Sequence, residues 1–161
     1  MVDVGRLVYI HGSDSDSNSG KARLFREWFP GMHTPDFSGS FEERMSQLRA
    51  LLSDQTGWTL IGSSYGGLMA AVFALEHEDQ LRKLILLAPA LTLEPLASLP
   101  DPGPLSVETL LVHGTLDTVL PLDPVRAVAE KLFGNLTLHI VRDDHRLHKT
   151  VSEMDWNSIF D

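Results

Sequence analysis

The sequence predicts an α/β domain, a mostly parallel sheet of about six strands with helices on both faces. Two observations carry this prediction. Short β-type runs alternate with longer helical runs along the chain, which is the pattern of parallel strands joined by crossover helices. Most β-type runs are also continuously apolar rather than alternating, as expected of strands covered on both faces. With no internal repeat or low-complexity linker, residues 1–161 read as a single domain.

The elements follow in order. Strand candidates are "RLVYI" (6–10), "WTLIG" (58–62), "KLILLA" (83–88), "TLLVH" (109–113) and "LTLHIV" (136–141), with a weaker one near Met32 to Phe37. Leu24, Phe25, Trp28 and Phe29 mark a first helix, which Ser19 is placed to cap. Ser40 and Glu43 form a capping box ahead of Phe41, Met45, Leu48, Leu51 and Leu52 on one helical face. Tyr65 to Glu78 gives a third helix. Asp123 and Pro124 suit the N-cap and first position of a fourth, with Val125, Val128, Ala129 and Leu132 as its stripe and Gly134 at its end. His145 to Phe160 reads as one last helix.

Composition excludes several functions. A net charge of −9 argues against nucleic acid or an anionic membrane as partner, since both demand a basic face. The absence of cysteine rules out disulfides, zinc–thiolate sites and a cysteine nucleophile. The apolar run near the N-terminus is too short for a signal peptide and no stretch reaches membrane-span length, so the expected location is the cytoplasm.

The first loop, "YIHGSDSDSNSGKARLF", invites three readings. As a phosphate-binding P-loop it fails, because seven residues separate Gly12 from Gly20 and Ala22 follows Lys21 where Ser or Thr is needed. As a calcium loop starting at Asp14 it has Ser19 where glycine belongs and Phe25 where a bidentate Glu belongs. The third reading, a cradle for a negative charge formed during a reaction, requires a nucleophile elsewhere.

"TLIGSSYGGLMAAVFAL" supplies one. Gly62-Ser63-Ser64-Tyr65-Gly66 matches G-x-S-x-G where a strand turns directly into a helix. So tight a turn strains the serine backbone and forces the positions two before and two after to be small. Ser64 then stands at a strand's carboxyl end beside the amide of Tyr65. A dinucleotide-binding turn is not met, because Ser64 occupies the place of the second glycine.

A serine hydroxyl needs a base, and the base needs an orienting partner. "LLVHGTLDTVLP" puts Asp117 beyond one strand and "LHIVRDDHRLHK" puts His145 beyond the last, in the chain order Ser64, Asp117, His145. His148 competes with His145 as base. Asp143 and Asp144 read as loop or capping groups, and His11 and His113 as structural residues at strand ends. The His145–His148 pair lacks a third ligand with metal-site spacing.

Together, "YIHGSDSDS", "IGSSYGG", "HGTLDTVLP" and "DDHRLH" resemble the α/β-hydrolase superfamily over nearly the whole chain, and within it the small lidless bacterial serine esterases. Leu120 replaces the usual Val of the third segment, and the chain starts at what would be the family's third strand, so the first two family strands are missing. The resemblance implies ester or thioester cleavage by Ser64, Asp117 and His145, without cofactor or metal. Its histidine comes first after the strand, which favours His145 over His148. It also implies that the backbone amides of Ser13 and Tyr65 bind the oxyanion; His11 and Gly12 of the same turn, and Leu91 of the segment 89–107, are the expected substrate-contacting residues.

The segment 89–107 is too short for a helical lid. Its Leu91, Leu93, Leu96 and Leu99 would either wall an acyl pocket or bury the loop against its own domain. The acidic surface is expected to disfavour anionic substrates weakly. Two other functions share these features: a non-catalytic ligand-binding module, and acyl transfer or peptide cleavage on the same residues.

Overall fold

The computed structural model describes residues 1–100 and 103–161. Five parallel strands, Leu7–Ile10 (β1), Trp58–Ser63 (β2), Leu81–Leu87 (β3), Glu108–Gly114 (β4) and Leu136–Val141 (β5), form one sheet in the order β1-β2-β3-β4-β5. Among the described residues six α-helices accompany them: Gly20–Trp28 (α1), Phe41–Leu52 (α2), Tyr65–His77 (α3), Leu122–Leu132 (α4), His148–Glu153 (α5) and Trp156–Phe160 (α6).

The strand order explains the layering. Strands laid down sequentially in one direction through right-handed crossovers send their connecting helices to a single face. There α2, α3 and α4 bury Met45, Leu48, Phe73 and Val125 against Val8, Leu60, Leu86 and Leu111. The opposite face is left to α1 and the chain's last two helices, where Phe25, Trp156 and Phe160 cover Tyr9, Ile61, Ile85 and Val112. The ring of Phe25 meets that of Trp156 edge-on at 4.8 Å. β1 to β4 are enclosed on both sides, whereas β5, at the sheet edge, is only partly covered.

Because every strand runs the same way, all five carboxyl ends open on one rim. The opposite rim is closed by side chain–backbone hydrogen bonds. Arg6 donates to the Thr56 carbonyl at 3.0 Å, and Gln80 donates to those of Ser53 and Gln55 at 2.9 and 2.7 Å. Glu78 accepts from the amides of Ser106 and Val107 at 2.6 and 3.0 Å.

Three sequence expectations need correction. The sheet has five strands rather than six: Met32 to Phe37 contributes only one bridge, His33 to Val8. Pro35 lacks an N–H there, and the Phe37 amide is drawn to His11 Nε2 at 2.9 Å instead of to a neighbouring strand. The final helix is two helices, because the Asp155 side chain accepts from the Ser158 amide and caps a new start. Helix α4 begins at Leu122 after Pro121, whose φ of −56° and ψ of 141° lead into it, so Asp123 lies in the first turn and not at the cap. Ser19 and Ser40 cap α1 and α2 as expected. Among the described residues no helix is long and apolar enough to cross a membrane.

Candidate active site

Ser64 lies between β2 and α3 with φ 55° and ψ −114°, a conformation L-residues avoid. The flanking glycines show what enforces it. A Cβ on Gly66 would stand 2.0 Å from the Ile10 carbonyl oxygen, and one on Gly62 would stand 2.4 Å from that of Gly66. The turn is locked by the Ser64 amide donating to Leu87 O at 3.0 Å and by Ser64 O accepting from Gly67 and Ala90 amides, both at 2.9 Å.

The Ser64 hydroxyl lies 3.0 Å from His145 Nε2, and His145 Nδ1 lies 2.8 Å from Asp117 Oδ2. A carboxylate oxygen only accepts, so the proton sits on Nδ1, and Nε2 is free to accept from Ser64. The other Asp117 oxygen accepts from the amides of Val119 and Leu120 at 2.9 and 2.8 Å. His113 adds a contact that the sequence reading missed. Its Nε2–H donates to Leu120 O at 2.7 Å and stands 3.3 Å from Asp117 Oδ2, while its Nδ1 is buried without a partner among the described residues. The spacing of four between His113 and Asp117 was the available signal.

A cleft of about 680 Å³ opens over Ser64. Gly12, Ser13, Tyr65 and His145 line it, with Leu93, Val119 and Leu120 supplying an apolar side. Tyr65 is the first residue of α3, so its amide has no carbonyl within the helix. The Ser13 amide makes no hydrogen bond among the described residues. Burial pushes the Tyr9 phenol in this cleft up to about 12, against the opposing pull of Ser63 and Ser19, so it stays a neutral donor.

Other expected site residues fall elsewhere. His11 is buried with both nitrogens engaged: Nε2 accepts from the Phe37 amide at 2.9 Å and Nδ1 faces Gly12 O at 2.7 Å, so its ring braces the loop and does not line the cleft. Leu91 is fully buried in the core and borders a separate groove with Leu96, Leu99 and Val128. Of the leucines in 89–107 only Leu93 reaches the Ser64 cleft. Asp101 and Pro102 of that segment lie outside the described residues. His148 opens α5 and also lines the cleft, but the imidazole bonded to Ser64 is that of His145. Asp143 accepts from the amide and hydroxyl of Thr150 at 3.1 and 2.7 Å, a capping role.

A serine on a strand-to-helix elbow at the carboxyl rim of a parallel sheet defines a class of proteins. The family described as alpha/beta hydrolase fold matches residues 12–104, and the chain belongs to it. No curated protein sequence matches. Among solved structures, a Xanthomonas campestris pv. campestris protein assigned to the hydrolases of the alpha/beta superfamily is 27% identical, with a TM-score of 0.75 over 91% of this chain and 90% of that one. An esterase from Exiguobacterium antarcticum has a TM-score of 0.76 at 16% identity, over 96% and 91%. Mouse alpha/beta hydrolase domain-containing protein 10 gives 0.74 at 18%, over 99% and 91%. At those identities the last two share the fold alone.

Proposed function

We propose that this protein is a serine hydrolase that cleaves a carboxylic ester or thioester through an acyl-enzyme on Ser64. One observation carries the reading: the unbroken chain from Ser64 Oγ to His145 Nε2, and from His145 Nδ1 to Asp117 Oδ2, at 3.0 and 2.8 Å. As Oγ attacks the carbonyl carbon, its proton passes to Nε2 and the carbonyl π pair moves onto oxygen. That oxyanion faces the amides of Ser13 and Tyr65, each donor contributing about 3–4 kcal/mol. Collapse expels the alcohol or thiol, which takes the proton from His145. Water then attacks the acyl-enzyme with His145 again as base, and Ser64 leaves with its proton restored. Asp117 holds the ring's tautomer and balances the imidazolium charge.

The chemistry is complete without a cofactor, and among the described residues the segment 89–107 forms no α-helix, which leaves the cleft open. A fluorophosphonate probe should label wild type at Ser64 and leave Ser64→Ala unlabelled, and p-nitrophenyl esters should be hydrolysed only by the former. Full ester hydrolysis by Ser64→Ala would refute the assignment, and an unlabelled wild type would favour a ligand-binding module.

A further inference from the structure

Net charge makes this an acidic protein, yet the Ser64 cleft is lined by basic side chains from separate segments. Lys21 comes from the first turn of α1, Arg146 from the loop after β5, and His148 from the start of α5. Gly20 sets the two helix starts side by side, since a Cβ there would lie 3.1 Å from His148 Cε1. His145 lines the same cleft.

Among the described residues the nearby acids leave Lys21 without a direct partner. Asp143 is engaged by Thr150 and by the Asp144 amide, Asp144 accepts from the Arg146 amide at 3.0 Å, and neither bonds Lys21. Asp14 and Asp16, on the exposed outer loop, also line the cleft, and Asp16 accepts from the Asn18 amide at 2.7 Å. Burial, with Arg146 adding to it, lowers Lys21 to about 8 against the smaller opposing pull of Asp144 and Asp143, as befits an ammonium withdrawn from water and bonded directly to neither carboxylate. Helix α1 docks through Ala22 and Phe25, so its packing does not require a charge at 21.

We propose that the cleft takes an ester or thioester carrying a carboxylate or phosphate, seated against Lys21 with Arg146 and His148 beside it. This rests on the serine-hydrolase reading for the reaction, but not for the binding. The anion would come from either the acyl chain or the leaving group.

Two matched pairs of substrates separate these sources. The first is p-nitrophenyl hydrogen glutarate against p-nitrophenyl pentanoate. The second is S-butanoyl-4′-phosphopantetheine against S-butanoylpantetheine. Wild type should show higher kcat/KM for the charged member of at least one pair, and Lys21→Met should shrink that ratio about tenfold or more. A response of the glutarate pair assigns a carboxylate on the acyl side, and a response of the pantetheine pair a phosphate on the leaving side. Equal effects of Lys21→Met on both members of both pairs would overturn the proposal.

Binding is read without turnover in Ser64→Ala protein. Calorimetry should show at least one of the two charged probes binding more weakly when Lys21→Met is added. Unchanged binding of both probes would also overturn the proposal. If fluorophosphonate fails to label wild type, the hydrolase reading falls, and these binding constants still decide the anion site.

Discussion

His113 Nε2 stands 3.3 Å from Asp117 Oδ2, with both side chains wholly buried. The Asp117 carboxylate thus meets two imidazoles and two backbone amides, and the loop from Gly114 to Leu120 closes on itself through the His113 bond to Leu120 O. His113→Phe would strip Leu120 O of its buried donor, at a cost of about 1–3 kcal/mol. Urea denaturation should show that loss, accompanied by a lower kcat as Asp117 loosens.

Asp117→Asn isolates the tautomer. The Asn oxygen can still accept from Val119 and Leu120, which turns its NH2 toward His145 Nδ1. That nitrogen must then accept, so the proton moves to Nε2 and points at Ser64. Ester hydrolysis should fall about 10³–10⁴-fold in kcat with folding intact, measured by steady-state kinetics alongside circular dichroism.

Two glycines should respond differently to alanine. Gly66→Ala drives a Cβ into the Ile10 carbonyl and should cost more than about 4 kcal/mol, leaving little folded protein. Gly57 has φ +81° but nothing within 4 Å of a built Cβ, so Gly57→Ala should cost only the left-handed strain, about 1–2 kcal/mol. Thermal unfolding separates the two.

Lys21→Met should stabilise the protein. The folded-state value is lowered, to about 8, so the folded chain holds this proton less tightly than the unfolded chain. The penalty is therefore full below about pH 8 and fades as pH rises from there to the ordinary lysine range. At pH 7 the variant should gain about 1–2 kcal/mol once partial solvent screening is allowed for. The gap should close by pH 10.5, the upper end of that range, in chemical denaturation curves.

The Ser64 turn was legible because its glycines answer a steric demand that shows in sequence: Gly62 and Gly66 sit where backbone carbonyls approach too closely for any side chain. Helix starts at Ser19 and Ser40 were legible for a similarly local reason, a side-chain oxygen bonding an amide three residues on. The meeting of Ser64, Asp117 and His145 was readable only as chain order, since order and strand direction fix the rim but not distances. What failed depends on tertiary partners. His11 spends both nitrogens on the loop, and Leu91 turns into the core, facts that no periodicity records. The break at Asp155 did leave a trace, Asp155 to Ser158, hidden by the apolar spacing that runs on through it.

The two rims of the sheet divide labour, and this has a practical use. Ser64, His145 and Asp117 gather at the carboxyl ends, while the far side is stitched by Arg6, Gln80 and Glu78, with Asp54 to Gly57 exposed between α2 and β2. A single cysteine introduced at Thr56, in a chain that has none, would give one thiol for tethering to a bead or electrode. The mouth over Ser64 would then face away from the support, open to incoming substrate.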